Sequence, residues 1–552
     1  MEPVTESLLI WVVLCPLFGA AAALFGKLLK SLERILSWLA VVSIGVSAAV
    51  LVLLLKPLLS GGSLIYFLGG WPEPLGISLV MNGMAWISCA LTAAIALAVA
   101  LFSLGSGKYG ARFFFFLLIM VGGMYGVALT GDIFTMFVCF EIVAVSVYVL
   151  IAYEGTEAGL AASLKYLILS TVGILFFLFG VFLVYRNTGV LSISGVSAAL
   201  GSAGGTGNTR VMHLALASLC VGIGVRTAFI PFHTWLPEAH AYAPHPVSAI
   251  LSGAMIKISF FAMVRIILRF QGQYLMELLT WIGAFTALAA VISALAQRDV
   301  KRLLAYHSIS QLGYILAVFG AGSAVALTAS FMHAVNHALF KSLLFLTVGA
   351  AVSYTGSRNV YDISGLGGRM PLFAAAYFVG PHSICGIPPF NGYASKAFIT
   401  LGMKGSPAYL LLWTTSFLTI ASFIKLSRIF LPASGGKVFH RSAGPLPGKL
   451  EKLTVGALAL ACLGTGLFGI PVAEFLSGML YGSSTASLPS LFSPGSFIKT
   501  APLLLLGYGV YRLISTGSGK EFSFRVRNLA PDLQMVLVFF FAGLLAFAAA
   551  AY

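Results

Sequence analysis

Long apolar runs separated by short polar loops recur from one end of this chain to the other. A helix that crosses a bilayer needs about 20 residues, most of them apolar. Only 9% of the residues are charged, 59% are hydrophobic, and the mean hydropathy is +1.00. The runs lie at 8–25, 35–58, 79–103, 112–130, 132–152, 159–185, 211–230, 247–268, 276–296, 302–320, 324–351, 371–402, 407–431, 452–481, 499–515 and 533–551. This pattern predicts an all-α polytopic membrane protein with about 14–16 transmembrane helices.

The distribution of charge indicates an orientation in the membrane and not a nucleic-acid partner. The net charge of +16 would suggest nucleic-acid binding in a water-soluble protein. If all sixteen runs cross the membrane, however, the loops on one side carry three times as many Lys and Arg residues as those on the other. The positive-inside rule then predicts a multi-pass protein of the cytoplasmic membrane with both termini outside. The acidic start, MEPVTES, favours a retained first helix over a cleaved signal peptide.

The six cysteines lie singly within apolar runs, and no two of them have C-x-x-C spacing. Isolated cysteines of this kind are typical of small buried residues. We therefore expect no iron–sulfur cluster, no zinc and no redox centre in this chain.

Two of the apolar runs are interrupted. PFHTWLPEAHAYAPHP follows the run that ends near residue 230, and GIPPFNGYASK at 386–396 contains two prolines and two glycines, which a continuous helix does not accommodate. Paired broken helices indicate an inverted repeat with ion sites near the middle of the membrane. We predict a three-helix segment at 1–111, five-helix repeats at 112–268 and 276–431, and C-terminal helices at 432–552 that dock a neighbouring subunit.

Charged residues inside the apolar runs mark a candidate ion pathway, because a charge at membrane depth is costly unless it serves a function or meets a partner. Glu141 and Lys257 can exchange protons and are predicted relay sites. The guanidinium of Arg226 keeps its proton and suits a fixed counter-charge. Lys165 is placed to reach Glu141, although it can also extend to the membrane surface. The alternative for Glu141 is a carboxylate that only holds helices together.

A ladder of basic residues follows in FMHAVNHALFKSLLF. His333, His337 and Lys341 are four residues apart and so share one helix face. Imidazole titrates near neutral pH, and the ladder suits a proton wire, with a metal pair or satisfied polar groups as the alternatives. Lys396, in the second interruption, completes the predicted relay. Candidate channel-lining residues are His233, His240, His307, Ser308 and Gln311, which can instead cap loops or pack helices.

Several of these segments resemble one known family. The segments are FEIVAVSVYVLI around Glu141, LKYLILS, PFHTWLPEAHAYAPHPVSAILSG, KRLLAYHSISQLGY, HAVNHALFKSLLF, GLGGRMP and GIPPFNGYASK. They occur in the order found in the antiporter-like membrane subunits of respiratory complex I, membrane-bound hydrogenases or sulfane sulfur reductases, and Mrp sodium/proton antiporters. The resemblance implies inverted repeats with a chain of buried charges and water across the membrane centre. Arg226 stands where the family usually has lysine.

The resemblance also implies a function. The chain is expected to translocate protons or sodium as a subunit of a multisubunit respiratory complex of the hydrogenase-like, sulfur-reducing or complex I-like kind. Iron–sulfur clusters and, in a hydrogenase, nickel–iron would then belong to soluble redox partners, while other membrane subunits and lipid surround this chain. One alternative is a subunit of a stand-alone Mrp-type antiporter. The other is a transport-inactive scaffold, for which Arg226 is the only support.

Overall fold

The chain forms a bundle of membrane-length helices. Its structure, a computed structural model, describes residues 6–26, 33–59, 61–201, 209–270, 272–432, 444–482, 491–492, 494–516 and a few isolated positions beyond 520. Within these residues, eleven helices are long and apolar enough to cross a membrane, and three shorter apolar helices accompany them. The predicted all-α polytopic architecture is confirmed. The predicted span at 533–551 lies almost wholly outside the described residues.

The helices used below are numbered in chain order. They are α1 (Leu9–Gly26), α2 (Glu33–Leu53), α3 (Gly83–Ser106), α4 (Ala111–Leu129), α5 (Ile133–Ile151), α6 (Glu157–Thr188), α7 (Thr209–Thr227), α8 (Leu236–Tyr242), α9 (His245–Arg269), α10 (Met276–Ala296), α11 (Val300–Gly320), α12 (Ala324–Thr355), α13 (Pro371–Cys385), α14 (Asn391–Gly402), α15 (Tyr409–Ser427), α16 (Lys449–Leu467), α17 (Gly469–Tyr481) and α18 (Pro494–Ile514). Polar caps set several of the starts. Asn82, Thr156 and Ser323 each accept a hydrogen bond from the backbone N–H three residues later, as helix N-caps do.

Two features depart from the sequence pattern. The polar stretch before α3 is an antiparallel hairpin in which β1 (Leu64–Phe67) pairs with β2 (Ser78–Met81). The apolar run at 452–481 is not one helix but two, α16 and α17, which meet at Phe468. Near this junction Gly466 lies directly on the backbone of 389–391. A third irregular helix therefore packs against the interruption that the sequence identified between α13 and α14.

The stretches 131–193 and 298–360 share one local architecture. Each contains a helix capped by an aspartate, Asp132 or Asp299, followed by a helix of 32 residues, α6 or α12. Each aspartate also forms a β-bridge to the segment after the 32-residue helix, Asp132 to Ser192 and Asp299 to Asn359. The predicted spans near the two aspartates, 132–152 and 302–320, are the fifth and the tenth. Successive spans cross the membrane in opposite directions, so two spans that are five apart begin on opposite membrane faces. This is the geometry of an inverted repeat; the boundaries 1–111, 112–268, 276–431 and 432–552 remain a prediction.

Both predicted interruptions are present, and each begins with a residue in the left-handed region. Gly386 follows α13 with φ of 74°, and Ala228 follows α7 with φ of 60°. Glycine adopts this conformation freely, whereas a residue with a β-carbon pays about 1 kcal/mol or more. Trp235 helps to hold the costly turn, because its buried indole N–H donates to the carbonyl of Val225 at 2.8 Å.

The α10–α11 contact gives a direct test of the fold. A β-carbon added at Gly313 would overlap the backbone of Gly283 and Ala287, so Gly313→Leu is expected to lower the free energy of unfolding by about 1–3 kcal/mol. Thermal melting in detergent measures the change. Gly456→Leu is the control, because nothing lies within 4 Å of a β-carbon at that position. Equal losses of Tm in the two variants would contradict this packing.

Candidate functional site

Glu141 and Arg226 form an ion pair in the first half of the bundle. The Nη2 of Arg226 lies 2.8 Å from the Oε1 of Glu141, and the guanidinium also sits over the Phe140 ring, 5.1 Å from its centre. Arg226 ends α7 just before the interruption and is 2% exposed, whereas the Glu141 side chain is 41% exposed. Because Glu141 lies in the middle of α5, that exposure is on the lateral surface of the bundle. The pair therefore joins the interior to the membrane-facing side.

Lys165 pairs with Glu238 and not with Glu141, the partner that the sequence had placed within its reach. Its Nζ lies 3.0 Å from the Oε1 of Glu238, and both side chains are partly exposed. The reason is the fold of the interruption: α8 turns back against α6, where the ring of Trp235 packs 4.7 Å from that of Tyr166. This brings the Glu238 carboxylate to Lys165 on α6, and Glu141 pairs with Arg226.

Lys257 is completely buried and lies just after an irregular turn of α9. Residues Leu251–Met255 form one turn of π-helix, which leaves carbonyls out of the regular helical pattern. The Lys257 ammonium donates to one of them, the carbonyl of Ser252. The wide turn thus supplies the acceptor that a buried ammonium needs.

Polar groups of α9, α11 and α12 lie between Lys257 and Lys341. The Oγ of Ser252 on α9 and the Oγ of Ser308 on α11 are 2.7 Å apart. Ser308 in turn donates to the Leu304 carbonyl at 3.2 Å, and Lys341 on α12 donates to the same carbonyl at 2.7 Å. Every one of these residues is fully buried. A row of buried polar groups therefore lies between the two lysines, and each lysine ammonium binds a backbone carbonyl at its end of the row.

A second polar group surrounds His333. One ring nitrogen lies 3.0 Å from the Oε1 of Gln311, and the other lies 2.9 Å from the Oγ of Ser395. Ser395 precedes Lys396, whose ammonium donates to the Ile384 carbonyl at 2.9 Å. The Lys396 stem passes so close to Gly386 that a β-carbon there would lie 2.9 Å from its Cδ. With both His333 nitrogens engaged, the metal-pair interpretation of the ladder loses support.

The remaining histidines have different settings. His337 stacks parallel to His333 at 6.3 Å between ring centres, and His240 stacks on Phe345 at 4.6 Å. Within the described residues, neither ring nitrogen of His337 or His240 has a hydrogen-bond partner, and the same holds for His233 Nδ1. His307 points to α15, where its Nε2 lies 2.7 Å from the Oγ of Ser422. His337 thus occupies the gap between the two polar groups, while His307 lies outside both.

Sequence reasoning missed a cluster of cations at the end of α8. Lys301 donates to the Ala243 carbonyl, and Arg358 donates to the Ala241 carbonyl at 2.6 Å. Arg358 is also 3.4 Å from Asp299, the residue that caps α11. The segment that carries Glu238 and His240 is therefore held by residues of the second repeat. Lys301 is only 3% exposed. Its burial could not be recognised from the sequence, because it stands beside Arg302 next to a loop, where basic side chains are usually exposed.

The predicted relay residues differ in whether they have a carboxylate partner. Both ion pairs that involve predicted relay residues, Glu141–Arg226 and Lys165–Glu238, lie in the first repeat. None of the ion pairs among the described residues includes Lys257, Lys341 or Lys396. Each of these three ammonium groups instead donates to a backbone carbonyl. The interior line is thus built from bases and neutral hydroxyls.

The Glu141–Arg226 pair should show energetic coupling. Glu141→Gln leaves a buried guanidinium without its counter-charge, which costs about 1–3 kcal/mol, whereas Glu141→Gln combined with Arg226→Gln removes both charges. We expect the double variant to melt closer to the wild type than the sum of the two single losses. Melting curves of the purified protein in detergent measure all four forms. Strict additivity would mean that the two side chains do not interact.

The chain matches known proteins over most of its length. A family described as NADH:quinone oxidoreductase/Mrp antiporter, TM, matches residues 130–422. One relative, a subunit of the NADH-quinone oxidoreductase of Desulforudis audaxviator, is 33% identical over 440 residues, which are 76% of this chain and 86% of that protein. Another, a subunit of the Na(+)/H(+) antiporter of Alkalihalophilus pseudofirmus, is 28% identical over 479 residues, which are 85% of this chain and 96% of that protein.

The fold is also similar to that of a chain in the structure of the membrane-bound sulfane sulfur reductase, an archaeal respiratory membrane complex. The TM-score is 0.77 at 27% identity, and the match covers 90% of this chain and 99% of that one. The family match at 130–422 includes every predicted relay residue from Glu141 to Lys396. This chain therefore belongs to the NADH:quinone oxidoreductase/Mrp antiporter transmembrane family and is one of its antiporter-like membrane subunits.

Proposed function

We propose that this chain conducts protons across the membrane through the line from Lys257 to Lys396, as one subunit of a larger complex. The observation that carries the proposal is the row of buried polar groups between Lys257 and Lys341, in which the Oγ atoms of Ser252 and Ser308 lie 2.7 Å apart. A costly buried lysine at membrane depth is best explained by function. The hydroxyls of Ser252 and Ser308 can each donate and accept a hydrogen bond. Both lysines bind backbone carbonyls, which have no proton to pass on, so we propose that water carries the proton between each lysine and these hydroxyls.

The chemistry of this line favours protons over sodium. A sodium ion needs several oxygen ligands and, at membrane depth, a compensating negative charge. The carbonyls of Ser252, Leu304 and Ile384 already accept bonds from ammonium groups. Glu141 and Glu238, the carboxylates beside the predicted relay, are paired with Arg226 and Lys165. Lysine and histidine can each pass a proton, and their nitrogen atoms offer little to a sodium ion, which prefers oxygen ligands.

Arg226 gives the ion pair a defined electrostatic role. With Glu141 ionised the pair is neutral, and with Glu141 protonated it carries one positive charge, since the guanidinium keeps its proton. In a low-dielectric interior this change of charge acts over long distances. Proton uptake by Glu141 would therefore drive positive charge away from the first repeat, towards Lys341 and Lys396. The arginine thus serves as a fixed counter-charge and not as a stage of the relay.

The relatives point to two kinds of assembly. The 33% identical relative is a subunit of an NADH-quinone oxidoreductase, and the structural neighbour belongs to an archaeal respiratory complex. We propose that this chain likewise works beside redox subunits that hold the iron–sulfur or nickel–iron centres, in the cytoplasmic membrane with both termini outside. The Na(+)/H(+) antiporter relative supports the second candidate, an antiporter without redox subunits. A hydrogenase has less direct support than the sulfur-reducing and complex I-like types.

Lys257→Met tests the relay. The variant keeps a long side chain but removes the proton-binding group, and we expect proton transport by the assembled complex in vesicles to fall by about tenfold or more. Quenching of a pH-sensitive dye measures transport, and co-purification of the other subunits shows that assembly is intact. Lys404→Met, at an exposed loop position, is the control. Full transport by the Lys257 variant would favour the scaffold interpretation over the relay.

The lateral surface around Glu141 should contact a neighbouring membrane subunit. Val138 and Val145 are 40% and 42% exposed on the same helix, and a half-exposed carboxylate between them is costly in lipid. A photocrosslinking amino acid at Val138 is therefore expected to capture a partner chain in the native assembly. The same group at the buried Phe261 should capture only helices of this chain. Crosslinks from Val138 to lipid alone would contradict the proposed contact.

The composition of the same native preparation separates the two candidate assemblies. Iron with soluble electron-transfer subunits would identify a redox-driven complex, and nickel in addition would indicate a hydrogenase. A metal-free set of membrane chains would identify an antiporter assembly and overturn the first candidate.

A further inference from the structure

A basic cleft lies where α18 packs beside α10 and α15. It has a volume of about 30 Å³, and its lining includes Leu295, Tyr361, Lys425, Arg428, Tyr511 and Ser515. All of these residues lie at the end of the bundle where the Lys- and Arg-rich loops gather. α18 is the last long helix of the described chain, and it reaches the core through α15, where Gly507 packs closely against Ile420. The cleft is therefore at the junction between the repeats and the C-terminal helices.

Arg428 gives the cleft its anion-binding capacity. Its guanidinium carbon is 5.8 Å from the centre of the Tyr361 ring. It lines the cleft, and it belongs to no ion pair among the described residues. A guanidinium stacked on an aromatic ring is positioned to bind a phosphate or carboxylate with two parallel hydrogen bonds.

The rest of the lining has matching chemistry. Lys425 adds a second positive charge, held in place by hydrogen bonds of 2.6 and 2.8 Å to the carbonyls of Leu295 and Gln297 at the end of α10. The side chains of Tyr361 and Tyr511 border the cleft and bring phenolic hydroxyls that can donate to an anion. Leu295 adds apolar surface, and no carboxylate belongs to the described lining. Basic clefts between membrane helices on the cytoplasmic side suit anionic head groups.

We propose that this cleft binds a phosphate group, supplied by the head group of an anionic phospholipid or by free phosphate, through Arg428 and Tyr511. The bound group bridges α15 and α18, because Arg428 follows α15 and Tyr511 belongs to α18. Occupancy then fastens the C-terminal helix to the second repeat. This site is separate from the proton line, and its occupancy does not depend on transport.

The test uses the full-length protein, purified with its partner chains and stripped of lipid. Native mass spectrometry counts the lipids bound when phosphatidylglycerol or phosphatidylcholine is added, and a parallel series adds inorganic phosphate alone. We expect phosphatidylglycerol to bind more tightly than phosphatidylcholine, and Arg428→Gln to weaken its binding by about tenfold or more. Arg428→Lys keeps the positive charge but loses the two parallel N–H donors of the guanidinium. Its affinity for phosphatidylglycerol should therefore lie between that of the wild type and that of Arg428→Gln. Tyr511→Phe should weaken binding several-fold without altering the charge.

Arg369→Gln is the matched control, because Arg369 is an exposed arginine on the same predicted side but away from the cleft. It should leave lipid binding unchanged. Tight binding of inorganic phosphate that removes the preference for phosphatidylglycerol would identify free phosphate as the ligand of the same site. Wild-type binding of both ligands by Arg428→Gln and Tyr511→Phe, or an equal loss with Arg369→Gln, would overturn the proposal.

Discussion

The interior of this protein depends on the pairing of buried ammonium groups with backbone carbonyls that irregular helices leave available. Lys257 binds a carbonyl of the π-helical turn at Leu251–Met255, and Lys396 binds a carbonyl at the end of α13, just before Gly386. An unpaired carbonyl and an unpaired charge are each costly in a dry interior. A hydrogen bond from the ammonium to the carbonyl removes much of both costs. The irregular turns and the buried lysines therefore depend on one another, and a regular helix at either place would leave the lysine without an acceptor.

The same constraint explains the difference between the two repeats. In the first repeat, Arg226 and Lys165 pair with the carboxylates of Glu141 and Glu238, and both pairs include partly exposed side chains. The buried Lys257 of the same repeat belongs to none of the ion pairs among the described residues. In the second, the fully buried Lys341 has only neutral acceptors and the hydroxyl of Ser308 near it. A change in the charge of the Glu141–Arg226 pair would act on an interior in which Lys257 and Lys341 have no carboxylate partner among the described residues.

The repeats are also mechanically connected. Lys301 and Arg358, which belong to the second repeat, bind the carbonyls of Ala243 and Ala241 next to α8. The segment with Glu238 and His240 is thereby fixed to the start of α11, where Asp299 caps the helix and pairs with Arg358. A movement of α8 would have to break charge-assisted hydrogen bonds, which are among the stronger contacts in proteins. The interruption in the first repeat is consequently fixed in place by its hydrogen bonds to Lys301 and Arg358.

The sequence by itself determined the multi-pass helical architecture and the two interruptions, because hydrophobic length and the positions of proline and glycine are local properties. It also placed His333, His337 and Lys341 on one face, since helical periodicity fixes that spacing. Only the tertiary structure decided the partners. Lys165 meets Glu238 and not Glu141, Ser252 and Ser395 join the polar line, and Lys301 becomes buried, because these contacts join residues far apart in the chain. The π-helical turn at Leu251–Met255 likewise has no local signature, since it arises from how α9 packs among its neighbours.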